Sequence, residues 1–234
     1  VRSCIGIQQG RAAFNDGELS GFIDKAGKEI VPAKYVMYSL FENGVATVSE
    51  DYYWGAIDLN GKEIIPGKYA DITRAGKNHL IVYDEATENY GLYNKTGDEI
   101  LSVNYTWIEY RDENIFYVSI DDMAGLVDGN GKEIIAVENE SVSQFYGDIC
   151  IVTTGEQQYL ADKAGNVVIP VGTYDSYYYN SRGLLQVTKN NQLGFTDLRG
   201  NVIIPVKYSY CGSFTESDVT YFYDGEKYWL INYK

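Results

Sequence analysis

The sequence predicts an all-β chain of tandem antiparallel β-meanders. Three observations carry this reading. The stretch GFIDKAGKEIVPAKY at residues 21–35 returns almost unchanged as GAIDLNGKEIIPGKY at residues 55–69. Aligned on the opening glycine, copies begin at Gly21, Gly55, Gly91, Gly125, Tyr159 and Gly194, with a truncated one at Trp229, in steps of 34 to 36 residues. Apolar residues alternate with period two in these copies, and no segment shows helical periodicity. A unit of roughly 35 residues cannot bury a core of its own, so the copies must stack on like neighbours. Residues 1–234 therefore read as a single repeat domain of six complete copies and a truncated seventh.

Each copy is entered through a short strand: GRAAF (10–14), GVATV (44–48), NHLIV (78–82), NIFYV (114–118), DICIV (148–152), GLLQV (183–187) and DVTYF (218–222). Every one opens on Gly, Asn or Asp, which tolerate a left-handed backbone. The fifth position is always apolar, the third nearly so, and the second and fourth mix polar residues with aliphatics. That pattern is a half-buried strand. The next strand holds Phe22, Ala56, Leu92, Leu126, Leu160, Phe195 and Leu230 beside Ile23, Ile57, Tyr93, Val127, Ala161, Thr196 and Ile231. Both columns are largely apolar, so this strand is covered on both faces and central.

A corner follows. One column carries Asp24, Asp58, Asn94, Asp128, Asp162, Asp197 and Asn232, and three residues on stand Gly27, Gly61, Gly97, Gly131, Gly165 and Gly200. Asp or Asn followed by Gly at the fourth position marks a type I turn: the side chain accepts backbone hydrogen bonds, and Gly takes the positive φ. The chain then runs back antiparallel through Ile30, Ile64, Ile100, Ile134, Val168 and Ile203 to Pro32, Pro66, Pro170 and Pro205. Proline donates no ladder hydrogen bond, so this return strand should lie at a sheet edge or stop there. Each copy thus reads as a three-stranded meander, with a short segment around Tyr35, Tyr69, Tyr105 and Tyr208 crossing to the next. Two architectures fit: a closed propeller-like ring, in which GRAAF would lie beside YWLIN, and an open β-superhelical ribbon.

The stretch WGAIDLNGKEIIPGKY (54–69) resembles the bacterial WG repeat, and the resemblance covers essentially the whole chain. Trp-Gly itself survives only at Trp54–Gly55; Ser20, Tyr90, Ala124, Gln158 and Leu193 stand there in other copies. Copies four and five depart most, with Ala136 and Asn139 in place of Pro and Tyr and an extra residue near Gly172. The resemblance implies a tandem β-repeat fold, often attached to secreted or surface proteins, with no catalytic motif and no defined ligand. The expected location is extracytoplasmic, secreted or attached to the cell surface.

Composition excludes several classes. A net charge of −14 argues against nucleic acid, which needs clustered Lys and Arg. No apolar run is long enough to span a membrane as a helix. The opening VRSCIGIQQG lacks the basic start and apolar centre of a signal peptide, so the chain reads as unsecreted or as a mature form. No Cys-x-x-Cys pair suggests zinc, no Gly-rich phosphate loop and no Gly-x-Ser-x-Gly elbow is present, and no cofactor is expected. Cys150 reads as a core thiol, while Cys4 and Cys211 fall at equivalent places in the first and last copies, where a closed ring would let them pair. The single histidine, His79, reads as a half-exposed strand residue. The repeated aspartates have a turn to form before they have any chemistry to do.

Aromatics remain. Tyrosine numbers 23, and the stretches DYYW (51–54) and DSYYYNSR (175–182) stand apart from the repeat frame. Tyr offers a flat apolar face with a polar tip, suited to sugars, peptides or protein surfaces. Tyr52, Tyr53, Tyr177, Tyr178 and Tyr179 are the candidate partner-binding residues, and the copy-specific loop DEATENYG (84–91) is a second place for specificity. The expectation is a monomeric, non-enzymatic module binding a protein, peptide or glycan; a display spacer and a hydrolase with a hidden site are the alternatives.

Overall fold

The computed structural model describes residues 3–180, 183–212 and 219–232. Among them every regular element is a strand, and no helix is long and apolar enough to cross a membrane. The strands form seven consecutive antiparallel sheets, one per copy. The second sheet sets the pattern, in the order Met37–Tyr38, Val45–Ser49, Trp54–Asp58 and Glu63–Tyr69. Sheets one to six have four strands in this order, and the seventh has three. By their internal contacts the residues divide into two compact units, Val1–Asp121 with Val127–Lys132, and Asp122–Leu126 with Glu133–Lys234.

The meander has one strand more than the sequence suggested. The segment after Tyr35 and its equivalents is not merely a crossing: it is the first strand of the next sheet. Single residues, Val36, Ala70, Thr106 and Ser209, join a return strand to that next first strand. Each is tied by its amide to the second strand of the new sheet, to Ser49, Tyr83, Ser119 and Tyr223 respectively at 2.8–2.9 Å. The extra strand also changes the burial of the second strand. Expected to be half-buried, it is interior, and in Val45–Ser49 all five residues are buried.

The corners form as the sequence implies. Asp24 Oδ1 accepts the amides of Ala26 and Lys28 at 2.8 and 2.9 Å, while Gly27, at φ 78°, donates to the Asp24 carbonyl. Asp58, Asn94, Asp128, Asp162 and Asp197 repeat the same pair of bonds at 2.8–3.0 Å. The carboxylates feel these donors. The Lys28 amide, above all, draws Asp24 below the usual carboxylate range. Burial pushes Asp162 and Asp197 upward, but the side-chain amides of Asn166 and Asn201 and the corner amides outweigh it and leave both lowered.

The copies are cemented to one another. Phe22, Val31 and Tyr35 of the first copy share a core with Phe41, Ala46, Val48 and Ile57 of the second. Leu160 and Ile169 of the fifth share one with Tyr177, Leu185 and Val187 of the sixth. The corner glycine takes part as well. A β-carbon on Gly131 would lie 3.0 Å from the carbonyl oxygen of Ile100 in the preceding copy. One column thus serves both the left-handed turn and the close stacking.

The return strands lie at sheet edges, as their prolines require; the one before Pro170 stops at Ile169, but three others run on. Glu29–Tyr35, Glu63–Tyr69 and Val202–Tyr208 run on past Pro32, Pro66 and Pro205 through a bulge. Trp54 pairs with Tyr69 and Ala56 with Ile65, so two extra residues sit on the return side. The bulge explains the opening glycine. Its φ is ordinary, but a β-carbon on Gly21 would lie 2.5 Å from the Val31 carbonyl oxygen, and one on Gly194 would lie 2.5 Å from that of Ile204. Only a residue without a side chain admits the bulged backbone at that distance.

Candidate functional site

The five tyrosines singled out by sequence separate in the structure. Tyr52 and Tyr53, 87% and 46% exposed, lie on the four-residue loop 50–53 that joins the second and third strands of sheet two. The Tyr53 amide donates to Asp51 Oδ1 at 2.9 Å, which fixes the loop's course. Tyr177, Tyr178 and Tyr179 belong to Ser176–Tyr179, the first strand of sheet six. Alternation along that strand turns Tyr178 outward at 69% exposed and Tyr177 inward at 7%. Tyr177 is therefore a core residue rather than a binding one: it stands opposite Val187 and packs with Leu160 and Ile169. Burial pushes its hydroxyl up to about 12. Tyr179 stacks on Tyr146 at 4.2 Å between centroids and is half-buried.

Beside Tyr53, an open groove is lined by Gly67 and Lys68 of sheet two and by Asp84, Glu85 and Ala86 of sheet three. Next along the chain comes an aromatic row that the sequence reading only touched. Tyr83 and Tyr90 face each other directly across the second and third strands of sheet three, their rings 4.8 Å apart. Trp107, which opens the first strand of sheet four, meets Tyr90 edge-on at 5.1 Å and is 46% exposed. Burial, then Tyr83 and Asp71, raise the Tyr90 hydroxyl above its ordinary value. Of this row the copy-specific stretch 84–91 contained Tyr90 alone. Tyr83 and Trp107 carried no signal, because only strand pairing brings residues 83, 90 and 107 together.

Loop length marks the same end of the sheets. Between second and third strands the connections 16–19, 50–53 and 85–88 have four residues, whereas 121–122, 155–156 and 190–191 have two. The short ones are tight left-handed turns, with Asp121 at φ 52° and Asn190 and Asn191 at 51° and 61°. The longer ones project side chains such as Tyr52.

His79 is buried rather than half-exposed. Its Nε2–H donates to the Gly129 carbonyl at 2.8 Å, and its ring meets Phe116 edge-on at 5.1 Å. No disulfide joins the three cysteines, so the Cys4–Cys211 bridge considered from sequence is not formed; Cys150 is buried in the core. Among the described residues no group of three or more His, Cys, Asp or Glu side chains is arranged to hold a metal ion.

Against known families, the profile of the WG containing repeat matches residues 21–54, 54–83, 90–123, 160–192 and 194–228, more than half of the chain. The chain belongs to the WG-repeat family. The matched segments of this WG-repeat chain omit residues 124–159, where Ala136 and Asn139 replace the proline and tyrosine of other copies. Asn139 is buried, and its Nδ2 donates to the Ala136 carbonyl at 2.8 Å. No curated protein matches. Among solved structures, KlHsv2 with loop 6CD replaced by a Gly-Ser linker is 11% identical with a TM-score of 0.35, over 71% of this chain and 63% of that one. This chain therefore spans less than two thirds of that structure's length. Kluyveromyces lactis Hsv2p is 9% identical at TM-score 0.34, over 96% of this chain and 94% of that one. A streptogramin B lyase structure is 15% identical at TM-score 0.30, over 94% and 89%.

Proposed function

We propose that this WG-repeat chain is a non-enzymatic binding module that holds a protein, peptide or glycan partner on the aromatic loop end of copies two to four. The observation that carries the reading is the row Tyr83–Tyr90–Trp107, in which half-buried Tyr83 and Tyr90 support the exposed Trp107, and Tyr83 immediately precedes Asp84 and Glu85 of the groove that also holds Lys68. Flat aromatic faces offer apolar area at low entropic cost, and mixed charge at the rim supplies hydrogen bonds for orientation. Tyr52 and Tyr53 add exposed rings in the same compact unit, and Tyr178 is a separate exposed ring in the other. The same reading puts the module at the bacterial cell surface, as the family resemblance implies.

The test is a glycan and peptide array followed by affinity measurement on the best hit. Trp107→Ala and Tyr90→Ala should each weaken that hit by about tenfold, the loss of one stacked ring, while far-UV circular dichroism is unchanged. An array without a hit above background, or a hit indifferent to both substitutions, would overturn the reading in favour of a display spacer.

A further inference from the structure

The two ends of the sheets differ in charge. In copies one to three the connections between second and third strands, 16–19, 50–53 and 85–88, hold Asp16, Glu18, Glu50, Asp51, Glu85 and Glu88 and no lysine or arginine. The corners of the same copies lie at the opposite end, because each third strand runs from loop to corner. There residues 24–28, 58–62 and 94–98 hold three carboxylates against four lysines. The loops therefore carry −6 where the corners carry +1. The acidity of the loop end is local, not a by-product of composition.

The aromatic row stands at that acidic end. Asp71 lies opposite Tyr83 on the first strand of sheet three, and Asp84 follows Tyr83 in the chain. Trp107 pairs with Ser119, two residues before Asp121, whose amide donates to Thr106 Oγ1 at 2.9 Å. The groove beside Tyr53 takes Asp84 and Glu85 from sheet three and Lys68, its one cation, from sheet two. Elsewhere the chain seats its own ammonium groups on tyrosines: Lys34, Lys68 and Lys207 lie 5.0–5.3 Å from the ring centroids of Tyr35, Tyr69 and Tyr208. The return strand of copy three carries Asn104 in place of that lysine, so it brings no cation to the end where Tyr90 and Trp107 stand. Exposed rings flanked by carboxylates are the chemistry that holds a cation, and a guanidinium above all, since its plane stacks on an aromatic face.

Building on the binding role proposed above, we infer that the partner is a cationic peptide, one arginine seated on the exposed ring of Trp107 and another basic side chain paired with Glu85 in the groove. The excess of carboxylates at the loop end steers such a peptide to this face and orients it.

The probe is acetyl-Gly-Arg-Gly-Ser-Arg-Gly-amide, titrated into the isotopically labelled chain at about 0.15 M ionic strength, where long-range attraction is screened. The Trp107 indole signal and the amides of residues 84–88 are followed. The expected result is a saturable shift of both, weakened at least about tenfold when citrulline, of like shape but neutral, replaces each arginine. Glu85→Lys should weaken binding by at least about tenfold. Glu63→Lys changes the net charge equally, at an exposed site beside a corner, and should weaken it by less than about twofold. Trp107→Ala, read from the amides, should cost about tenfold. Equal binding of the citrulline peptide, equal losses from the two lysine substitutions, or the same shifts produced by calcium ion alone would overturn the inference. A neutral oligosaccharide that moves the Trp107 signal while the arginine peptide does not would overturn it too, yet leave the binding role standing. Silence from both probes would remove the binding role with it.

Discussion

Copies two and five turn the same corner and then part. Asp58 and Asp162 each accept two backbone amides at 2.8–2.9 Å, and Gly61 and Gly165 complete the turn at φ 78° and 84°. Beyond the corner, the return strand of copy two runs seven residues to Tyr69, while that of copy five ends after three, at Ile169. The residue facing the two strands differs: Gly55 in the first, Tyr159 in the second. A β-carbon on Gly55 would lie 2.8 Å from the Ile65 carbonyl and 2.9 Å from the Gly67 amide. Where that carbon is absent the backbone bulges in and continues to a buried tyrosine. Where it is present the strand leaves the sheet, and residues 170–175 take a longer path to the next one. One side chain on the third strand therefore sets how far the sheet edge extends.

Substitutions at that position should separate the two copies most. Gly194→Val, in copy six with its bulged return strand, should cost about 3 kcal/mol, the upper range for forcing extra atoms into a packed site. Tyr159→Val in copy five should cost only about 1 kcal/mol, since a β-carbon is already accommodated and only part of a half-buried ring is lost. Urea unfolding of both variants measures the gap, and equal losses would break the comparison.

Acid should act on both copies alike. Asp24, Asp162 and Asp197 are lowered in the folded chain, so the stability they contribute is complete above the unfolded carboxylate value of about 3.9 and is lost as pH falls through the lower folded values. Asp224, held at about 2 by the Lys227 amide first and then by the Trp229 indole, should be the last of them to protonate. Urea midpoints should be flat from neutral pH to about 5 and drop below about 4; a drop centred near neutrality would contradict the assignment.

Asp162→Ala and Asp197→Ala should each cost about 1 kcal/mol, discounted for the solvent exposure of the corners. The two losses should agree closely, because the corner is common to both kinds of copy. Smallest of all, Tyr178→Ala should change stability by less than about 0.5 kcal/mol, as expected for an outward-facing ring.

Much of this was legible in the amino-acid order. The Asp-x-x-Gly corner, the doubly covered third strand and the edge position of the proline strand are local patterns, and local patterns survive in sequence. What was not legible depends on two backbones meeting. The opening glycines could be aligned, but their cause is a carbonyl ten residues further on. Tyr177 and Tyr178 look alike in DSYYYN, and only their register against Val187 and Gln186 decides which enters the core. His79 shares its column with Val45, Ile115, Ile149 and Leu184 but also with Arg11, and its burial rests on a carbonyl fifty residues away, at Gly129. The row Tyr83–Tyr90–Trp107 was hidden for the same reason.

The most direct test uses two glycines of one bulge. Gly55 faces the return-strand backbone, whereas Gly67, within that strand, has ordinary φ and no described atom within 4 Å of a β-carbon. Urea unfolding of Gly55→Ala should show a loss of about 2 kcal/mol or more, and Gly67→Ala a change near zero. Equal losses at the two positions, or a Gly55→Ala chain as stable as the parent, would contradict the claim that close backbone approach is what the repeat's opening glycine is for.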